Sequence, residues 1–300
     1  MARVLVVEGN TPEVVAATMA AGCSPAAEQY AAVLEALAAE RGVALETMIA
    51  RPSFPDADIE RLALEGFDGV ALTGSGVSWS ADDARAGPHR RLLERVFAAG
   101  IPAVGSCWGL QVGAVVLGGA VGQGTRGLEI GVARHVCLTA AGQAHALHAG
   151  RDASFDVPCI HRDEVTRLPQ GAVLTASNDH SEVQAMVYEE GGVRFWGLQY
   201  HPEGGVEDML AYLLRRDEFA LAELALFRDR ADLEAMVADM RAMAADPAAN
   251  RAMAWRYGIR PEVLDPARRR VELANWLAAI GITAVRPFEE TVLRQPRRAV

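Results

Sequence analysis

The sequence predicts an α/β fold: a mostly parallel central sheet with flanking helices, followed by a C-terminal helical extension. Three observations carry this. Strand-like and helix-like segments alternate over the first two-thirds of the chain, the pattern of parallel strands joined by crossovers. An apolar strand runs straight into a helix at "IPAVGSCWGLQ", with a cysteine at the junction. Beyond "HPEGG" almost no β signal remains, and the chain becomes rich in Ala, Arg and Glu.

Each element has its own signal. "RVLVVEG" is an apolar, β-branched first strand. "SPAAEQYAAVLEALAAERG" opens on Ser-Pro, carries Glu28 in its first turn and stops at Gly42, as a helix should. "ALETMIA" and "FDGVALTGS" read as the next strands, "RRLLERVFAAG" as a helix ended by Gly100, and "IPAVGS" as a fourth strand. From about Leu128 to Trp196 shorter segments such as "SFDVPCI" and "VQAMVY" predict partly antiparallel strands added to the sheet. In the tail, Leu233, Met236, Val237, Met240 and Met243 share one helical face, which reads as core. Trp255 and Trp276 are expected as buried anchors, and Arg268-Arg269-Arg270 as a solvated charged turn. The expected division is residues 1–215 for the α/β domain and 216–300 for a helical extension packed on it.

Composition narrows the chemistry. The chain has 300 residues, 51% hydrophobic and 23% charged, with net charge −10, which argues against nucleic-acid partners. No apolar run approaches a membrane span, and the first residues read as a strand and not a signal peptide, so a cytoplasmic protein without a membrane partner is expected. All 29 basic residues are arginine. Without lysine neither a Walker A loop nor a Schiff base can form, so any ATP-dependent step belongs to another protein. The four cysteines make no CxxC and are expected to be reduced. His145 and His148 read as a surface turn, and neither a metal site nor a cofactor is expected.

The stretch from Gly105 to Gly109, "GSCWG", is the cysteine form of G-x-S-x-G, the sharp strand-to-helix turn that exposes a nucleophile. The flanking glycines answer to crowding by neighbouring backbone. A helix N-terminus there favours negative charge and offers an N–H to an oxyanion. A buried structural cysteine is the plainer alternative, and the glycine frame speaks against it. A nucleophile also needs a base with an orienting group. "LQYHPEGG" supplies His201 and, two residues on, Glu203, whose side chain falls on the same side of an extended chain. Alone, His-Pro-Glu could be a turn; with the elbow upstream it completes a triad.

Together, "GSCWGLQ" and "GLQYHPE" resemble the class I, Cys-His-Glu glutamine amidotransferases, including the glutaminase domain of GMP synthetase, over roughly Arg3 to Tyr212. The resemblance implies Cys107 as nucleophile, His201 as base and Glu203 as its orienter. It implies Gln111 as a substrate contact and "LTGSG" as the oxyanion loop, where Gly74 adjoins the substrate and the Ser75 amide pairs with that of Trp108 as oxyanion donors. Ser75 stands where a second glycine is usual and Gly76 where proline is usual. His161 and Asp163 match a His-x-Asp segment near the substrate's amino and carboxylate groups, although Ile160 replaces a frequent serine. Two departures stand out: "EGNTPEVVAATMAAGCSP" is a longer loop after the first strand, expected to reshape the pocket mouth, and the tail does not resemble a synthetase domain.

The implied reaction is hydrolysis of a γ-glutamyl amide, first of all glutamine, with ammonia passed to a separate ATP-dependent synthetase. The same chemistry on a γ-glutamyl amine or peptide, by an enzyme acting alone, is the alternative, and a non-catalytic binding module on the same fold is a third. Expected partners are a small-molecule substrate, that synthetase, and a second copy of the chain as a homodimer.

Overall fold

The computed structural model describes residues 1–214 and 226–283. Eleven strands are formed among them: β1 (Ala2–Val7), β2 (Leu45–Ala50), β3 (Gly69–Leu72), β4 (Ala103–Ser106), β5 (Ala120–Gln123), β6 (Glu129–Leu138), β7 (Ser154–His161), β8 (Asp163–Arg167), β9 (Val173–Ser177), β10 (Ala185–Tyr188) and β11 (Phe195–Leu198). Nine make one sheet in the order β2-β1-β3-β4-β11-β10-β9-β6-β7, while β5 and β8 form a separate antiparallel pair. β2, β1, β3, β4 and β11 run parallel, and β10, β9, β6 and β7 add antiparallel. The expected fold class, including its antiparallel extension, is what the chain adopts.

The two-residue period of a strand sends alternate side chains to opposite faces. Val4 and Val6 of β1 join one buried cluster, with Tyr30 and Leu34. Leu5 and Val7 join another, with Leu92, Leu93 and Val96. The helices covering the sheet follow from this: α1 (Pro12–Ala20) and α2 (Ala26–Ala39) after β1, α3 (Gly87–Ala98) after β3 and α4 (Trp108–Val116) after β4. The segment expected as a loop after β1 is therefore largely helical. Pro12 at the first helical position, where its missing N–H costs nothing, and the Ala-rich run behind it account for α1.

A short helix α5 (Ala140–Ala144) precedes a 3₁₀ turn, Ala146–His148. The later part holds α6 (Val206–Leu214), α7 (Arg230–Ala245), α8 (Arg251–Tyr257), α9 (Pro261–Leu264), α10 (Pro266–Arg269) and α11 (Val271–Ala279). The expected boundary at 215/216 lies outside the described residues. Leu233, Val237, Met240 and Met243 of α7 are buried against Val206, Leu210 and Leu213 of α6, with Met236 partly buried beside them. α11 packs on α2 and places Trp276 in the cluster that includes Tyr30 and Leu34.

Three tail and turn expectations are corrected. Trp255 is 86% exposed while Trp276 is 1% exposed, because α8 contributes no fully buried residue and α11 lies on the sheet face. Arg269 is buried, its Nη1 donating to the Val263 carbonyl at 2.9 Å, so the arginine run is only partly solvated. His148 is not on the surface. Its Nδ1 lies 3.3 Å from Glu272 Oε1 and its Nε2 3.1 Å from Thr175 Oγ1. Glu272, fully buried, also takes hydrogen bonds from Arg151 Nε at 2.8 Å and from the Tyr200 hydroxyl at 3.1 Å. This polar knot ties α11 to the segment immediately before His201.

Candidate active site

Parallel register sets the site. Leu72 of β3 stands opposite Gly105 of β4, and Ser106 opposite Leu198 of β11. Three chain segments therefore leave the sheet side by side at its carboxyl edge, where ligands bind in open α/β sheets. They are the Thr73–Gly76 loop, Cys107 and the Gln199–Glu203 segment.

Cys107 has φ +51°, a conformation strained for a non-glycine residue. It sits between the end of β4 and the first turn of α4, its amide donating to the Leu198 carbonyl at 2.6 Å. The turn is possible because its neighbours lack side chains. A Cβ on Gly105 would lie 2.5 Å from the Gly109 carbonyl carbon, and one on Gly109 would lie 2.6 Å from the Leu72 oxygen. The Cys107 thiol donates to the Ile160 carbonyl at 3.5 Å.

His201 Nδ1 is 2.7 Å from Glu203 Oε1, so the two-residue spacing brings carboxylate and ring together. Its Nε2 is buried without a hydrogen bond. Burial pulls the imidazole down, but the Glu203 carboxylate, with a smaller contribution from the adjoining Cys107 sulfur, outweighs it and holds the ring well above its ordinary value. Gly74 fits between ring and thiol: a Cβ there would sit 2.5 Å from His201 Cε1 and 3.5 Å from Cys107 Cβ.

The remaining sequence-predicted residues line the same cavity of about 650 Å³: Gly74, Ser75, Trp108, Gln111, His161 and Asp163. The amides of Ser75 and Trp108 donate to no protein acceptor among the described residues. Gln111 is held by its Nε2, which donates to the Asp163 carbonyl at 2.6 Å and lies 3.3 Å from Gln199 Oε1. His161 turns Nε2 to Glu129 Oε2 at 2.8 Å, leaving Nδ1 buried and unpartnered. Asp163 Oδ1 is 3.5 Å from Arg162 Nε.

The cavity has further walls, one from the long segment after β1 that was expected at the pocket mouth and others that the sequence did not assign to it. Thr18 of α1 and Cys23 contribute one, and Glu207, Asp208 and Tyr212 of α6 another. Arg241 of α7 reaches it from the tail. Burial pushes the Glu207 carboxyl up, with the neighbouring Asp208 charge adding to it and Arg269 and Arg241 opposing. The only cue to Arg241 in the sequence was its place beside the Met240 and Met243 stripe. Among the described residues no cluster of side chains could hold a metal ion, and no helix is long and apolar enough to cross a membrane.

Residues 26–218 match the family described as Glutamine amidotransferase class-I, and the chain belongs to that family. Among its relatives it is 36% identical over 217 residues to a γ-glutamyl-L-1-hydroxyisopropylamide hydrolase from a Pseudomonas species, covering 70% of each chain. It is 35% identical over 153 residues to the glutamine-hydrolysing GMP synthase of Shewanella loihica, a match over 49% of this chain and only 28% of that protein. Among solved structures, a glutamine amidotransferase from Thermotoga maritima superposes with TM-score 0.60 at 19% identity, over 93% of this chain and 97% of the other.

Proposed function

We propose that this protein hydrolyses a γ-glutamyl amide bond through a thioester on Cys107. The observation that carries the reading is Cys107 itself, held at φ +51° beside His201–Glu203 at the floor of the cavity. As His201 Nε2 takes the thiol proton, the Cys107 sulfur attacks the amide carbonyl, and the oxyanion is met by the amides of Ser75 and Trp108. His201 carries a proton at Nε2 to the departing amine, then takes one from the water that attacks the thioester. Glu203 holds Nδ1 and keeps the ring in that orientation. Gln111, pinned through its nitrogen, offers Oε1 to the substrate's ammonium group. Gly74, His161 and Asp163 complete the glutamyl end.

An N-substituted γ-glutamyl amide is the preferred substrate class. A cavity of about 650 Å³ lies in the range of sites that enclose drug-sized ligands, and the likeness to the Pseudomonas hydrolase runs over 70% of both chains. The likeness to GMP synthase supports a second reading, in which glutamine is the substrate and a separate synthetase consumes the ammonia. A substrate panel separates them. Purified wild type should release amine from γ-glutamyl isopropylamide and related amides with a higher kcat/KM than ammonia from glutamine. Cys107→Ala should abolish both. Equal or better use of glutamine favours the second reading, and turnover surviving in Cys107→Ala rejects both.

A further inference from the structure

Where the chain leaves β1, two buried polar residues reach across to the Thr73–Gly76 loop. Glu8 is fully buried, and both of its carboxylate oxygens are occupied. Oε1 accepts from the Asn10 amide at 3.0 Å and from Asn10 Nδ2 at 2.7 Å, while Oε2 accepts from Ala27 N at 3.0 Å. Ala27 lies in the first turn of α2, so the carboxylate also meets the positive end of that helix. His89 on α3 fixes the same corner from behind. Burial pulls its pKa down to about 4, so the neutral ring donates from Nε2 to the Glu8 carbonyl at 2.9 Å.

A carboxylate accepts only, so Asn10 must present Nδ2 to Glu8 and Oδ1 to the opposite side. There Oδ1 accepts from the Gly76 amide at 2.7 Å and lies 3.3 Å from Ser75 Oγ. Ser75 Oγ donates to the Gly9 carbonyl at 2.9 Å, and Gly9 N donates to Thr73 Oγ1 at 2.9 Å. The Gly-Ser-Gly loop is intrinsically mobile in φ and ψ. These bonds pin it on both sides of Ser75, whose own N–H is left without a protein acceptor among the described residues.

We propose that Asn10 is a positioning residue for hydrolysis: locked by Glu8, it fixes the Gly74–Gly76 backbone so that the Ser75 amide is preorganised for the substrate oxyanion. The inference rests on the proposed γ-glutamyl hydrolysis. It also gives Asn10 and Ser75, which stands where a second glycine is usual, a common purpose, because the serine hydroxyl and the asparagine together tie down a loop that lacks the usual proline. An oxyanion donor acts only when charge develops on oxygen. Alkylation of the thiol by iodoacetamide is a displacement at carbon that needs no such donor.

The test measures steady-state hydrolysis of γ-glutamyl isopropylamide beside the rate of Cys107 carboxamidomethylation, followed on its own peptide by mass spectrometry. Asn10→Ala should lower kcat by roughly ten- to a hundredfold, less than loss of a whole oxyanion donor, with KM and the alkylation rate within about threefold of wild type. Asn10→Asp should be at least as damaging, because it sets a carboxylate against Glu8. Adding Glu8→Gln to Asn10→Asp should recover only part of the Asn10→Asp loss, because it relieves the charge repulsion but turns a side-chain N–H toward a backbone amide, of residue 10 or of Ala27, that Glu8 accepts. Unchanged kcat in Asn10→Ala, or an alkylation rate that falls in step with kcat, overturns the positioning role. If turnover survives Cys107→Ala, the underlying function fails with it. Activity lost in Cys107→Ala but intact in Asn10→Ala sinks the positioning role alone.

Discussion

Among single residues, the pair His201–Glu203 bears most directly on the chemistry. In the proposed hydrolysis the ring serves both half-reactions, whereas Glu203, 2.7 Å from Nδ1, orients it and supplies a compensating charge. Members of such a unit act together and their losses do not add. His201→Ala is expected to reduce kcat by roughly 10⁴-fold or more, and Glu203→Gln to be about a hundredfold less damaging, judged by comparable triad deletions. Steady-state rates on the same amide substrate decide it, and a Glu203→Gln variant worse than His201→Ala would reverse the roles. These residues were legible because each depends on local chain geometry. G-x-C-x-G reports a turn that side chains at Gly105 and Gly109 would block, and His-x-Glu reports two side chains on one side of an extended segment. Arg241, Glu207 and Asp208 were not legible, since they reach the cavity through helix packing that no short spacing encodes, whereas Thr18 and Cys23 fall in the long segment after β1 already expected at the pocket mouth.

Between elements, the knot around Glu272 joins α11 to the turn at His148, to Arg151 and to Tyr200, the neighbour of His201. Burial alone would raise the Glu272 carboxyl, but Arg151 and His148 outweigh it and hold its pKa at about 2, below its ordinary 4.5. A carboxyl depressed in the folded state stabilises fully above its unfolded value and ceases to do so as pH falls through the folded one. Wild type should therefore lose stability between about pH 4.5 and pH 2. Glu272→Gln should start less stable at neutral pH and decline less over that window. Chemical denaturation at a series of pH values checks this; parallel curves for the two proteins would show that Glu272 is not the group responsible. No local pattern in the sequence announces the knot, because its members come from three distant parts of the chain, around His148, at Tyr200 and at Glu272, and His148 alone reads as a surface residue. The strand order at the carboxyl edge was better foreshadowed, since alternation of strand and helix already implies parallel neighbours.

For the whole molecule, the fold joins the family-matched residues 26–218 to two segments that also line the pocket, α1 after β1 and the helices beyond α6. Helical periodicity made the Leu233–Met243 face of α7 readable as core, whereas it could not tell Trp276, in contact with the sheet face, from Trp255 at 86% exposure. Both segments place residues in the cavity of about 650 Å³, the volume on which the proposed preference for a substituted γ-glutamyl amide rests. In the proposed reaction one thiol, and no other, carries the acyl group. Cys23 lines the same cavity, which makes a glutamine-like electrophile such as 6-diazo-5-oxonorleucine a discriminating probe. Peptide mass spectrometry after complete inactivation should find the adduct on Cys107 alone, with substrate slowing its formation. Inactivation with Cys107 unmodified, or with the adduct on Cys23, would contradict the account.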